Sequence, residues 1–313
     1  MDGKQKKQMM LNKIIANIVP LMPKKLVWIF SKRYIAGSTL DDAIRVSKAL
    51  NDQGMLVTID LLGEFIEDLN QADENTKAYL EIIERTTQEK IKGNYSVKPT
   101  MFGLLLDKEK AYENIREIVK KAAEYNNFVR IDMEDSQCTD MEIELYSRLK
   151  TEFPENVGLV FQAYLKRTLD DLKMLYERFH KDGAHNNYRL CKGIYVEPAE
   201  IAYKDKEEIR KHYLEDLEFL LSHGEYVGIA THDKYLVDEA YKLIEKYKVD
   251  KDMYEFQMLY GVTPDLRKSI VAKGHKMRVY VPFGEDWFGY STRRLKENPK
   301  IAGDIVKALF KRG

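Results

Sequence analysis

Two adjacent arginines occur near the end of the chain, in the segment "GYSTRRLKEN" (289–298). At about 100° per residue, one face of a helix here would carry Tyr290, Arg293, Arg294 and Glu297. Two planar guanidinium groups on one face could form a bidentate clamp for a carboxylate or a phosphate. The same spacing is typical of a solvated helix face with an ion pair between Arg293 and Glu297. The segment alone leaves both interpretations open.

Further polar side chains lie within or at the ends of short β-rich runs. They are Lys98, Asp132, Glu134, Gln162, Arg189, Lys192, Thr231, His232, Gln257 and Tyr280. A lysine and several hydrogen-bonding groups beside paired arginines favour recognition of a small anionic molecule. Each of these residues also has a structural interpretation. Gln162 could satisfy backbone groups, and His232 could be an ordinary hydrogen-bonded core residue.

The elements that must position these side chains alternate regularly along the chain. Eight β-rich runs cover residues 56–62, 95–103, 128–134, 158–164, 188–195, 226–232, 254–261 and 277–284. Long amphipathic stretches, such as 108–125 and 233–248, separate them and predict helices. This alternation is typical of parallel βα units and predicts a closed (βα)8 barrel, with a doubly wound open sheet as the alternative. In such barrels, functional side chains gather at the carboxyl ends of the strands.

The first 50 residues differ in character from the rest. Residues 9–19 repeat apolar side chains at helical spacing, and "PKKLVWIFSKRY" (23–34) mixes basic and aromatic residues. We therefore predict an N-terminal helical arm over 1–50 and a catalytic barrel over 51–313. The arm could contact an anionic membrane surface, or it could pack on the barrel.

Composition and absent motifs exclude several classes of protein. The 51 basic and 51 acidic residues balance, which argues against a nucleic-acid binder. The two cysteines are far apart and no apolar run could span a bilayer, so we predict a cytoplasmic protein. No GxGxxG, P-loop, HExxH or GxSxG motif is present, which disfavours a Rossmann site, a P-loop, zinc hydrolysis and a serine hydrolase.

Seven segments together resemble the proline dehydrogenase family in order and spacing. They are "SVKPTMFGL", "VRIDMEDS", "FQAYLKRT", "RLCKGIY", "ATHD", "FQMLYG" and "RVYVPFGEDWFGYSTRRLKEN". Each segment alone is a weak signal, but seven in register are specific. The resemblance is to the stand-alone bacterial form and covers residues 55–299. It implies a distorted (βα)8 barrel whose last helix lies over the barrel mouth, and FAD-dependent oxidation of L-proline to 1-pyrroline-5-carboxylate.

The resemblance also implies roles for individual residues. Lys98, Arg293 and Arg294 would hold the substrate carboxylate, while Asp132 and Arg189 would be catalytic, with Arg189 beside flavin N5. The substrate ring would be walled by Tyr195, Leu259, Tyr280 and Tyr290. The flavin would contact Met133, Gln162, Arg189, Lys192, Gly193, Ile194, Thr231, His232, Gln257 and Glu297, and Glu297 would also orient the arginine pair. Electrons would pass to a membrane quinone, with peripheral contact at the inner face of the membrane.

Two departures from the family pattern concern the flavin. Asp233 stands where the family usually has asparagine, and Ile194 and Val196 replace the commoner alanine and tryptophan. Other functions stay open from the residues alone. A Schiff-base lyase or aldolase would use Lys98 or Lys192 as its amine. A peripheral membrane scaffold would use the N-terminal arm.

Replacing Arg294 by lysine tests the clamp directly. We expect Arg294→Lys to raise the KM for L-proline strongly, because a point charge cannot reproduce a bidentate fork. Steady-state kinetics with varied proline would measure this change. Unchanged kinetics would remove Arg294 from the clamp.

Overall fold

The computed structural model describes residues 27–28, 31–180 and 185–291, and its centre is a closed barrel. Eight parallel strands follow one another around the barrel in chain order. They are β1 (Leu56–Leu61), β2 (Gly93–Val97), β3 (Val129–Ile131), β4 (Val157–Gln162), β5 (Asn187–Cys191), β6 (Tyr226–Ala230), β7 (Tyr254–Leu259) and β8 (Met277–Phe283). The predicted (βα)8 barrel is therefore confirmed, and the open-sheet alternative is wrong.

Helices surround the strands. They are α1 (Leu40–Asn51), α2 (Leu69–Gln88), α3 (Lys108–Glu124), α4 (Thr139–Glu152), α5 (Thr168–Phe179), α6 (Lys206–Ser222), α7 (Lys234–Lys246) and α8 (Pro264–Ala272). Several helices begin where an aspartate caps the free backbone amides of the first turn. Asp107 accepts from two amides at the start of α3, and Asp205 does the same at the start of α6.

The barrel separates apolar from polar side chains. Successive residues of a strand point to opposite faces, so alternate side chains enter the lumen. In β1, Val57 and Ile59 belong to the apolar core. Thr58, between them, donates from its hydroxyl to Asn94 in β2 at 2.6 Å. The apolar core accordingly lies between the strands and the helices, while the lumen is lined by hydrogen-bonding groups.

The first and last strands close the barrel. Six register pairs join β1 to β8, from Leu56 opposite Arg278 to Leu61 opposite Phe283. The preceding chain adds to this seam, because the Ala36 amide donates to the Pro282 carbonyl at 2.9 Å. Closure leaves no exposed edge in the sheet.

The strands end earlier than the apolar runs suggested. The run 95–103 is not one strand, because β2 ends at Val97 and Pro99–Phe102 forms a 3-10 helix. Pro99 has no backbone N–H to continue a ladder, and Gly103 closes the turn at φ 92°. The runs at 128–134, 188–195 and 226–232 likewise exceed β3, β5 and β6 at their carboxyl ends. The excess residues form the loops that carry the site.

The predicted arm is described only in part, because residues 1–26 lie outside the described residues. Helix α1 packs into the barrel core through Ala43 and Leu50, and Trp28 contacts Trp287 with ring centroids 4.7 Å apart. The division at residue 50 stays a prediction. Residues 287–291 are helical, as predicted for that segment. Within the described residues, we find no helix with the length and apolar character needed to cross a membrane.

Candidate active site

Lys98 lies between two carboxylates at the carboxyl ends of the strands. It follows β2 directly, and its Nζ donates to Asp60 Oδ1 in β1 at 2.7 Å. The same ammonium lies 4.0 Å from Asp132 Oδ2 and 3.4 Å from the Tyr280 hydroxyl. A single cation is thus held by groups from β1, from β8 and from the loop that follows β3.

Asp132 is the centre of this network. Its Oδ1 accepts hydrogen bonds from the Ser96 hydroxyl at 2.5 Å and from Arg189 Nη1 at 2.7 Å. Its Oδ2 accepts from the Tyr280 hydroxyl at 2.8 Å. Strands β3 and β8 are not neighbours in the sheet, so this last bond crosses the lumen. Both carboxylate oxygens of Asp132 are therefore occupied.

Arg189 is buried in the lumen and held on two sides. Its side chain is 8% exposed, and among the described residues Asp132 is the one carboxylate that forms an ion pair with it. On the other side, Arg189 Nε donates to Gln257 Oε1 at 2.5 Å. Its guanidinium also lies 5.2 Å from the centroid of the Tyr280 ring, within reach of a cation–π interaction. These contacts fix the direction of the guanidinium plane.

The charges in this cluster shift each other's pKa values. Burial alone would lower the pKa of Lys98, but the charges of Asp60 and Asp132 outweigh burial and raise it above its ordinary value. Burial raises the pKa of Asp60 to about 6, although the charge of Lys98 opposes this shift. The site therefore holds a permanent ammonium at neutral pH.

Replacing Asp60 by asparagine should remove part of the pH dependence of stability. The folded protein keeps a proton on Asp60 up to about pH 6, whereas the unfolded chain loses it near 3.8. Raising the pH through this window should therefore lower the free energy of unfolding by up to about 3 kcal/mol through this group alone. In denaturant titrations between pH 4 and pH 7, the free energy of unfolding of Asp60→Asn should fall less than that of the wild type. The difference should be up to about 3 kcal/mol.

A matched control replaces a carboxylate on the surface. The side chain of Asp170 in α5 is 86% exposed, so Asp170→Asn should leave the pH dependence of the wild type unchanged. If Asp60→Asn and the wild type lost the same free energy over this pH range, Asp60 would not carry the shifted pKa.

A second charged group lies at the ends of β5 and β6. Lys192 Nζ is 3.3 Å from Asp233 Oδ2, and Arg210 donates to both oxygens of Asp233 at 2.9 and 3.0 Å. Burial raises the pKa of Asp233, but the hydrogen bond from Arg210 and the charge of Lys192 outweigh it and lower the pKa to about 2. The departure from the family's asparagine thus gives Lys192 a fixed carboxylate partner. Asp233 also caps helix α7.

The loop after β5 combines this cation with an apolar surface. Gly193 has φ 102°, and a Cβ there would lie 2.1 Å from the Tyr164 ring, so only glycine fits. Ile194 is 54% exposed and Val196 is 99% exposed, while Tyr195 packs partly against the core. Large apolar side chains at this rim are thus open to a ligand.

The remaining predicted flavin residues lie on the same side of the barrel. Gln162 donates to the Glu134 carbonyl at 2.8 Å, and the Thr231 hydroxyl accepts from the Asp233 amide at 3.1 Å. His232 Nε2 accepts from the Leu259 amide at 2.9 Å. Each of these side chains therefore has a structural bond, and a role toward a cofactor would be additional to it. Met133 is buried in the core cluster.

Tyr290 and the arginine pair differ from the other predicted residues. Tyr290 is buried in an apolar cluster with Tyr34, Ile35 and Leu62. Arg293, Arg294 and Glu297 lie outside the described residues, and their roles stay predictions.

The network contains residues that the sequence analysis did not single out. They are Asp60, Ser96, Glu255 and Arg278, all of which form hydrogen bonds in the lumen. A signal was available for Asp60, because it alternates with apolar residues in "LVTIDLL" and so belongs to the inner face of β1.

The described residues contain no group of three or more His, Cys, Asp or Glu side chains that could hold a metal ion. Barrel enzymes carry their active sites at the carboxyl ends of the strands, where this closed (βα)8 barrel has its paired charges. Comparison with known proteins narrows this class. The family model described as proline dehydrogenase matches residues 43–306. The chain belongs to the proline dehydrogenase family, a family of oxidoreductases.

Individual relatives agree with this assignment. The chain is 35% identical over 297 residues to proline dehydrogenase of Deinococcus radiodurans, covering 94% of each chain. It is 34% identical over 282 residues to proline dehydrogenase 1 of Bacillus subtilis strain 168, covering 90% of this chain and 91% of the relative.

Among solved structures, one similar protein is proline utilization A of Bdellovibrio bacteriovorus inactivated by N-propargylglycine. It matches with a TM-score of 0.84 and 26% identity, over 95% of this chain and 37% of that longer protein. The fold of this chain is thus similar to that of one part of the longer Bdellovibrio protein.

Proposed function

We propose that the protein oxidises L-proline to 1-pyrroline-5-carboxylate with FAD as its cofactor and passes the electrons to a membrane quinone. The observation that carries the proposal is the convergence of Asp60, Lys98, Asp132, Arg189 and Tyr280 in one hydrogen-bonded cluster. Membership of the proline dehydrogenase family supports the choice of substrate.

The cluster suits the carboxylate and ring of a small amino acid. Lys98 stays protonated at neutral pH and can donate to the substrate carboxylate, alongside Arg293 and Arg294. Tyr280 offers an aromatic face beside this cation. Fixing one end of proline limits where its reacting carbon can go, and such positioning supplies much of the catalysis.

The residues at the ends of β4, β5 and β6 fit a flavin. A flavin ring system has an apolar edge and an edge of carbonyl oxygens and ring nitrogens. The loop after β5 offers matching groups, namely the exposed Ile194 and the ammonium of Lys192, whose side chain is 35% exposed. We infer that these residues, with Gln162, Thr231 and His232, hold FAD.

The oxidation removes a hydride from the ring carbon next to the nitrogen. The amine must first lose its proton, because the nitrogen lone pair becomes the second bond of the C=N group as the hydride leaves. FAD, when bound, supplies the acceptor for that hydride. Arg189, held by Asp132 and Gln257, provides a fixed positive charge where negative charge develops. Positioning and charge are thus the contributions of this chain's own residues.

A Schiff-base lyase on the same barrel is the alternative. Such an enzyme needs a neutral lysine amine as its nucleophile. The two carboxylates beside Lys98 raise its pKa and so disfavour this role. The lyase would therefore depend on Lys192.

The colour of the purified protein tests the proposal. We expect a yellow protein that contains FAD and bleaches when L-proline is added without oxygen. D-proline and glycine serve as controls for substrate recognition. A colourless protein that borohydride traps covalently with a keto acid would support the lyase and contradict the oxidase.

The quinone and membrane contact form the last part of the proposal. The six lysines of residues 1–26, together with the helically spaced apolar residues of 9–19, support a contact with an anionic surface. Deletion of residues 1–26 tests it, because this change spares Val27 and the Trp28–Trp287 contact. We expect weaker binding to phosphatidylglycerol vesicles with unchanged dye-coupled turnover. Equal vesicle binding with and without residues 1–26 would contradict a role for this segment.

A further inference from the structure

A chain of hydrogen bonds runs through the lumen from the base of the barrel to Arg189. Near the start of β8, Arg278 donates from Nη1 to the Val57 carbonyl at 2.8 Å and from Nε to Glu255 Oε1 at 2.6 Å. Gln257 Nε2 donates to the same Glu255 oxygen at 2.7 Å. Gln257 Oε1 then accepts from Arg189 Nε at 2.5 Å. We call Arg278, Glu255, Gln257 and Arg189 the basal chain.

The basal chain begins at the face opposite the candidate active site. Arg278 and Glu255 line a cavity of about 540 Å³ at the amino-terminal ends of the strands. Glu255 is 1% exposed and Gln257 is 5% exposed, so the hydrogen bond between them is shielded from bulk water. The basal chain thus connects the amino-terminal ends of the strands to the guanidinium of Arg189 in the candidate active site.

Glu255 sets the orientation of the Gln257 amide. A glutamine amide has a donor end and an acceptor end, whereas a carboxylate only accepts and a guanidinium only donates. Burial raises the pKa of Glu255, but the ion pair with Arg278 outweighs it and lowers the pKa, which keeps the group ionised. The amide must therefore turn Nε2 toward Glu255 and Oε1 toward Arg189. A reversed amide would face Arg189 with a second donor.

The neighbouring strand leaves space for this amide. Gly228 in β6 stands opposite Glu255 in the register of β6 and β7. A Cβ at residue 228 would lie 2.3 Å from Gln257 Nε2 and 2.7 Å from its Cδ, which is too close for either atom to stay in place. The absence of a side chain at Gly228 therefore allows the Gln257 amide to occupy its position between Glu255 and Arg189.

We propose that Glu255 is a positioning residue, which acts through the amide of Gln257 to fix the guanidinium of Arg189 in the active site. Its effect on turnover rests on the proposed function, in which Arg189 lies beside the flavin. Its effect on the position of Arg189 does not. A misplacement of about 1 Å at a reacting centre can cost about 100-fold in rate.

Three variants address the basal chain. Glu255→Leu keeps a side chain of similar size but removes the acceptor that orients the Gln257 amide. Gly228→Ala displaces the amide without changing Gln257 itself. Glu255→Gln keeps an acceptor oxygen for Gln257 and is the conservative variant, since it removes charge alone. Thr86→Val is the matched control, because it removes a buried hydrogen bond to Tyr95 outside the lumen, between α2 and β2.

Anaerobic stopped-flow reduction of the flavin by L-proline measures the consequence. We expect Glu255→Leu and Gly228→Ala to slow the limiting rate at least tenfold and to shift the flavin reduction potential, with the proline Kd changed less than about threefold. Glu255→Gln should retain most of the wild-type rate, and Thr86→Val should match the wild type. Wild-type rates and potentials in folded, flavin-loaded Glu255→Leu and Gly228→Ala would overturn the inference.

Crystal structures separate this inference from the proposed function. If proline failed to reduce the flavin of the wild type, the proposed function would fall, but the position of Arg189 could still be compared between the wild type and Glu255→Leu. A displaced guanidinium would support the positioning role of the basal chain. An Arg189 guanidinium in the same position in the wild type and in Glu255→Leu would overturn it.

Discussion

Asp132→Asn should reduce the rate of proline oxidation by about 100- to 1,000-fold, the range seen when a preorganised electrostatic contact in an active site is lost. Asp132 uses both of its oxygens, one for Ser96 and Arg189 and the other for Tyr280. An asparagine has one acceptor oxygen, so its NH2 group must face either Arg189 or Tyr280. The guanidinium would also lose its carboxylate partner. Asp132→Asn should therefore break the hydrogen bond to Arg189 or the one to Tyr280, and it removes the ion pair with Arg189.

Single-turnover reduction of the flavin, measured together with the proline Kd, would test this expectation. Asp216→Asn is a suitable control, because Asp216 is a buried acid of helix α6 outside the hydrogen-bonded cluster. We expect that control to keep the wild-type rate. A rate for Asp132→Asn within about threefold of the wild type would show that the residue only supports the fold.

Lys98→Met should weaken proline binding by about 10- to 150-fold, which corresponds to about 1.5–3 kcal/mol for a hydrogen bond to a charged group. The substitution removes the ammonium that we propose binds the substrate carboxylate. It also leaves Asp60 buried without its partner at 2.7 Å, so stability should fall as well. Binding titrations and unfolding curves would measure the two effects separately.

The double variant Lys98→Met/Asp60→Asn separates these two roles. Removing both charges should restore much of the stability, because no buried charge is left uncompensated. We do not expect it to restore proline binding. Recovery of wild-type affinity in the double variant would mean that Lys98 serves only as the partner of Asp60.

The fold was predictable because the outer faces of the strands are apolar. Residues such as Val57 and Ile59 pack against the helices, and this pattern gives eight β-rich runs. Strand ends were less predictable, because apolar or β-branched residues continue into the loops. The run through Lys98 and Pro99 was overestimated in this way.

Four residues of the hydrogen-bonded cluster were predictable from the sequence, but their contacts with each other were not. Lys98, Asp132, Arg189 and Tyr280 follow from the resemblance to the family and prove to be hydrogen-bonded to each other. Their bonds cross the lumen between strands that are distant in sequence. Such pairs depend on the register and closure of the barrel, which local patterns do not encode. Glu255 was missed for this reason, whereas the alternation in "LVTIDLL" could have indicated Asp60.

The seam between β1 and β8 also constrains how the protein can be made. The paired residues Leu56 and Arg278 are more than 200 positions apart, so a nascent chain cannot form this seam until its final strand has left the ribosome. Until then, two unpaired strands stay open to other chains. We therefore expect synthesis arrested before residue 277 to yield an aggregating product that binds neither flavin nor proline.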